Sequence, residues 1–149
     1  MLHEWGHWLD QNMITDGKTL HEQMPDLGRL LEEDAVLYTR HLIKPEEVIK
    51  TGSDLAALPR DMRGKIEDNL NEDKNLKNGV SDIFSGLTKD SIGGRWGHYR
   101  DYWEKPGSLE REAVAHFFEA RAAGGRKLEI LKEYFPSAYE YFESTLKGF

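Results

Sequence analysis

The stretch Leu2-His3-Glu4-Trp5-Gly6-His7-Trp8-Leu9-Asp10-Gln11-Asn12-Met13 decides how the rest of the chain is read. Leu2, Trp5, Trp8 and Leu9 recur at helical spacing, which predicts an amphipathic helix over residues 2–13. Residues four apart on a helix share a face, with Cβ atoms roughly 5–6 Å apart, so His3 and His7 point the same way. Imidazoles so placed can both reach one zinc ion at roughly 2.0–2.1 Å. Glu4, between them in sequence, falls beside such an ion without ligating it, where a carboxylate can take a proton from water and later return it to a leaving group.

Working outward, the pattern stays helical. Asp26 is placed to cap a helix over Leu27–Leu42, whose apolar stripe is Leu27, Leu30, Leu31, Ala35, Tyr38 and Leu42. Pro45 opens a short helix to Lys50, and Leu55–Leu70 reads as a helix bent near Pro59. The polar, Asn-rich stretch through Asn78-Gly79 reads as a loop, as do Thr15–Lys18 and Lys105–Ser108. Ser81-Asp82 most simply caps a turn reaching Leu87, and Ile92–Tyr99 is a glycine-punctuated loop lined with aromatics. A strong helix opens at Ser108 and runs to Ala123, stopped by Gly124-Gly125; Arg126–Tyr134 and Ser137–Leu146 follow on either side of Pro136. Tyr134, Phe135, Tyr139, Tyr141 and Phe142 read as core. No alternating strand pattern is present. The expectation is a mainly α fold, one compact helical domain over residues 1–149 with six to eight helices.

Composition narrows the chemistry. The chain has 149 residues, 27 acidic and 20 basic, a formal charge of −7 and no cysteine. Thiolate metal clusters, Cys nucleophiles and disulfide scaffolds are therefore excluded, and any metal must be held by His and carboxylate. The acidic balance argues against nucleic acid as a partner, because that affinity rests on basic side chains neutralising phosphates. Without a long apolar run or a signal-peptide pattern, no membrane association is expected, and the location is expected to be cytoplasmic or virion-associated.

A catalytic zinc takes three protein ligands and keeps one position open. The long metzincin extension would need Gly and His where this chain has Asp10 and Met13, so the third ligand lies elsewhere. Glu112, in Arg111-Glu112-Ala113-Val114-Ala115-His116, suits the role, since small Ala113 and Ala115 let its helix approach the first closely; the bland alternative is a first-turn glutamate complementing the helix dipole. His116, one turn on, is a second-shell partner of the metal site or a competing ligand. Asp10 either orients a metal-binding imidazole or is a solvated charge at a helix end. His98, set among Tyr99, Tyr102 and Trp103, either donates to a tetrahedral oxyanion or packs structurally.

Taken in order, His3-Glu4-x-Gly6-His7-x-x-Asp10, Ser81-Asp82-Ile83, Gly97-His98 with Tyr102-Trp103, Glu112-Ala113-x-Ala115 and Phe135-Pro136 resemble the zincin-like metallopeptidase domain found in phage minor head (head morphogenesis) proteins. The likeness spans nearly the whole chain, although only the first motif is specific alone. It implies a glutamate-type zincin with His3, His7 and Glu112 as zinc ligands and Glu4 as general base; His98 and Tyr102 are expected to line the cleft that opens onto the metal, because donors to a transition state must face the developing oxyanion. It implies a peptide or protein substrate, and phage head or portal proteins as further partners.

Two features depart from that pattern. Zincins usually place a small β-sheet before the histidine helix, and here the motif begins at residue three, so the expected fold is the helical part alone, with the sheet missing and the chain readable as a fragment. The residue four after the third ligand is commonly acidic in such proteins, and here it is His116. The competing function is a noncatalytic structural module of a virion or head-assembly complex that keeps a degenerate zincin fold; the intact Glu4 favours the enzyme, the missing sheet the module.

Overall fold

Gly6 and Ala115 determine how the first helix meets the rest of the chain. In the computed structural model, which describes residues 2–43, 49–76, 79–93 and 98–149, α1 (Leu2–Asn12) lies directly on α7 (Ser108–Ala123). A Cβ at buried Gly6 would stand 2.5 Å from the carbonyl oxygen and 2.9 Å from the Cα of Ala115, so the two backbones touch where only glycine fits. Ala115 is fully buried at this crossing, and Ala113, also fully buried, belongs to the hydrophobic core.

The remaining helices among the described residues are α2 (Leu27–Leu42), α3 (Gly52–Ala57), α4 (Arg60–Glu72), α5 (Val80–Leu87), α6 (Arg100–Trp103), α8 (Gly125–Tyr134) and α9 (Pro136–Leu146), with 3₁₀ turns at His21–Gln23 and Lys74–Leu76. The fold is mainly α. No strand occurs among the described residues; the nearest approach is an isolated antiparallel bridge between Thr15 and Lys18, closed by Asp16 and Gly17 at φ 53° and 75°. Leu27, Leu31, Phe84, Phe117, Phe135 and Phe142 are fully buried in one core shared by α2, α5, α7, α8 and α9. Asp34, buried on α2, accepts the Ala138 backbone N–H at 2.9 Å and so closes the first turn of α9, where Pro136 needs no donor of its own. No described helix is long and apolar enough to cross a membrane.

Several helix boundaries differ from the sequence reading. Ser81 and Asp82 are not caps: α5 begins one residue earlier, at Val80 after Gly79, and both side chains are buried inside it. Val80, Ile83 and Phe84 set the phase of that helix, and burial of its whole length overrides the local preference of Ser and Asp for its end. Asp26 stands at the head of α2, but its side chain makes no capping bond and lies 3.7 Å from Arg29 instead. Pro59 separates α3 from α4 outright, and α3 is opened by a reciprocal capping box between Thr51 and Asp54. The Asn-rich stretch contains the 3₁₀ turn that buries Leu76, and α6 forms where only a loop was expected, bringing the described helices to nine rather than six to eight. Most of the expected Pro45–Lys50 helix lies outside the described residues, as do Asn78 and residues 94–97 of the aromatic loop.

Candidate metal centre

The crossing of α1 over α7 gathers the three sequence-predicted ligands. His3 Nε2 lies 3.1 Å from Glu112 Oε2, His7 Nε2 lies 3.2 Å from the same oxygen, and the two Nε2 atoms stand 3.2 Å apart. Donor atoms about 2.0–2.1 Å from a tetrahedral ion are separated by about 3.3–3.4 Å, so this triangle has the size of one face of such a site. The chemistry of the set agrees with the spacing. Two imidazoles and a carboxylate are ligand types a divalent ion takes: His3 and His7 hydrogen-bond the Glu112 oxygen, and with those protons released the same atoms would face one ion. His3, Glu112 and His116 also lie close enough together to hold a metal ion, so His116 as a competing ligand stands beside the triangle.

Glu112 is 3% exposed and joins both walls of the centre. Burial alone would raise its carboxyl, but hydrogen bonds from His3, His7 and Tyr102 outweigh that and hold it far below the ordinary carboxylate range, so it is ionised. Its second oxygen, Oε1, accepts a short hydrogen bond from the Tyr102 hydroxyl and lies 3.7 Å from His98 Nε2. Arg111 donates to the Tyr102 oxygen at 2.6 Å. Burial, with the Glu112 bond, pushes the Tyr102 hydroxyl up to about 12, so it stays a donor at neutral pH.

His98 is set by both its backbone and its ring. Its carbonyl accepts from Trp103 Nε1 at 3.1 Å and from Ser85 Oγ at 3.2 Å, and its ring stacks on Tyr102 with centroids 4.0 Å apart. Its Nδ1 pairs with Asp82 Oδ1 at 3.0 Å, which leaves Nε2 facing Glu112. The structure thus brings His98 and Tyr102 to Glu112. His116 is there too. Its ring lies against that of His3, centroids 4.2 Å apart, and its Nε2 meets Asp82 Oδ2 at 2.8 Å. Glu4 is exposed on α1.

Asp10 does neither of the things expected of it. It is fully buried rather than solvated, and it orients no metal-binding imidazole: one oxygen accepts the His21 backbone N–H at 2.7 Å and the other meets His21 Nδ1 at 2.6 Å. The chain turns back on itself after α1, so the helix-face argument that paired Asp10 with His7 is overridden by a closer partner eleven residues on. Sequence reasoning also missed Asp82 and Arg111. For Asp82 a signal existed, because a lone carboxylate in the apolar run Val80–Phe84 is buried with its helix and therefore requires partners. For Arg111 there was none.

No protein-family model, curated protein sequence or solved structure matches the chain.

Proposed function

We propose that the chain is a zinc-dependent metallopeptidase domain of the kind carried by phage or prophage minor head proteins, hydrolysing peptide bonds with Glu4 as general base. The observation that carries this reading is the triangle of His3 Nε2, His7 Nε2 and Glu112 Oε2, with edges of 3.1–3.2 Å assembled from residues more than a hundred positions apart. His3, His7 and Glu112 would hold the ion. When bound, zinc supplies Lewis acidity and makes water nucleophilic near neutral pH.

The chain's own groups divide the remaining work. Glu4, exposed on α1, would accept a proton from an attacking water and return it to the amine that leaves. Tyr102 stays protonated at working pH and, turned from Glu112 towards substrate, would donate to the oxygen on which charge develops; His98, its Nδ1–H spent on Asp82, would do so only as the imidazolium, whose Nε2 also carries a proton. Exposed Leu2, Trp5 and Trp8 on α1 favour a second reading, a binding module without catalysis, since neighbouring apolar side chains left in water mark interaction surfaces.

One pair of variants separates the two. Glu4→Gln keeps the size of the side chain but cannot take a proton, so bound zinc should match wild type while protein hydrolysis falls by about 10²–10⁴-fold. His7→Ala should lose zinc and hydrolysis together. Zinc-loaded wild type that cleaves no protein substrate, or cleavage indifferent to Glu4→Gln, defeats the peptidase and leaves the module.

A further inference from the structure

His3 has an unusual deficit for a metal-binding histidine. Such a residue normally donates its second ring N–H to an acceptor that fixes the ring, yet His3 Nδ1 is buried with no hydrogen-bond partner among the described residues. Apart from its Nε2 contacts with Glu112 and His7, the ring rests on the face of His116, tilted 30° to it with centroids 4.2 Å apart. His116 is itself only 3% exposed and is anchored by Asp82 Oδ2 at 2.8 Å. The other oxygen of Asp82 holds His98, on the far side of Glu112, at 3.0 Å.

We infer that Asp82 is a positioning residue that sets both walls of the centre with one carboxylate, fixing His98 directly and His3 through His116. The inference rests on the metal reading proposed above and deepens it. An ionised carboxylate accepts and cannot donate, so His98 must present Nδ1–H and His116 Nε2–H to it. That assignment leaves His98 Nε2 directed at Glu112 Oε1, 3.7 Å away, and locks the His116 ring in the plane that supports His3. Asp82 sits on α5 and His116 on α7, so the bracket also ties the metal-bearing helix to the core. Asp82, His98 and Glu112 are close enough together to suggest a second ion site. Both oxygens of Asp82 are spent on imidazole nitrogens, Oδ1 on His98 Nδ1 and Oδ2 on His116 Nε2, so we assign Asp82 to positioning.

The test compares Asp82→Asn with Asp34→Asn, a buried carboxylate on another helix that meets α9 rather than the centre. Zinc affinity of the whole chain is measured by calorimetry, and ligand geometry by the visible spectrum of the cobalt-substituted protein. Asp82→Asn should weaken zinc by about 10–100-fold and alter the cobalt bands. Asp34→Asn should leave both as in wild type while lowering stability. Equal zinc affinity and identical cobalt bands in Asp82→Asn and wild type would overturn the inference, as would two zinc ions per wild-type chain, because Asp82 and His98 would then be ligands. Should Asp82→Asn fail to fold, the imidazole ¹⁵N spectrum of metal-free wild type decides: protons on His98 Nδ1 and His116 Nε2 support the bracket, and protons absent from those positions reject it. Wild type that takes up no zinc sinks the metal reading, and the same spectrum then judges the bracket by itself.

Discussion

Glu112 is shared by both walls of the centre: its Oε2 takes His3 and His7, and its Oε1 takes Tyr102. Asp10 shows how a single residue can look as though it belongs to this centre and not do so. It lies one turn beyond His7, yet both of its oxygens serve His21. Asp10→Asn removes the charge and one acceptor position from a fully buried site, so stability should fall by about 1–3 kcal/mol, read by urea unfolding. Zinc affinity, measured alongside, should change by less than about twofold, because no metal-binding atom loses a partner. A fall in zinc affinity without loss of stability would instead return Asp10 to the metal centre.

At the scale of elements, the crossing of α1 and α7 is what makes a site of residues that are distant in sequence. The approach is limited by the backbone, since the atom a Cβ at Gly6 would strike is the Ala115 carbonyl oxygen, which cannot rotate aside. Gly6→Ala should therefore push the helices apart, costing about 1–3 kcal/mol and lowering zinc affinity with it, because His3 and His7 move away from Glu112. Gly64→Ala is the control. A Cβ there meets nothing within 4 Å in the middle of α4, so the replacement should leave zinc binding alone and leave stability unchanged or raise it by roughly 0.5–1 kcal/mol. Thermal unfolding with parallel zinc titration reads both; equal behaviour of the two variants would remove the close crossing as the cause.

Across the whole molecule, buried ionic contacts make the metal-free fold sensitive to acid. His116 and Lys127, the latter at 2.7 Å, hold the Glu119 carboxyl down to about 2 from an ordinary value of 4.5. A carboxyl whose folded value is depressed adds stability that is fully present above its unfolded value and is lost as pH falls through its folded value. Glu119 thus stabilises the junction of α7 and α8 above about pH 4.5 and ceases to do so towards pH 2. Glu119→Gln should flatten the decline of stability between those values while leaving the remaining acid loss in place, as followed by urea midpoints across a pH series. An unchanged slope would show that Glu119 carries none of it.

The division between local and tertiary information follows from the same contacts. Helices α1, α2, α7, α8 and α9 were legible to within about two residues, α1 and α2 from their apolar spacing and α7, α8 and α9 from the Gly124-Gly125 and Pro136 breaks between them, and the pairing of His3 with His7 was legible because four residues make one turn. Glu112 was legible as a candidate only through its small neighbours. Asp82 was misread as a cap, and α6 was not seen, since four residues carry too little periodicity to register. What the sequence by itself determined is the helical class, the histidine pair and the exclusion of sulfur ligands. Only the tertiary structure decided that Glu112 completes the pair, that Asp10 leaves it for His21, and that Asp82 brackets His98 and His116. The physical reason is that a helix period specifies which side chains share a face, whereas the partner of a buried charge is set by which helices pack against it, and that packing is decided by apolar contacts far from the charge itself.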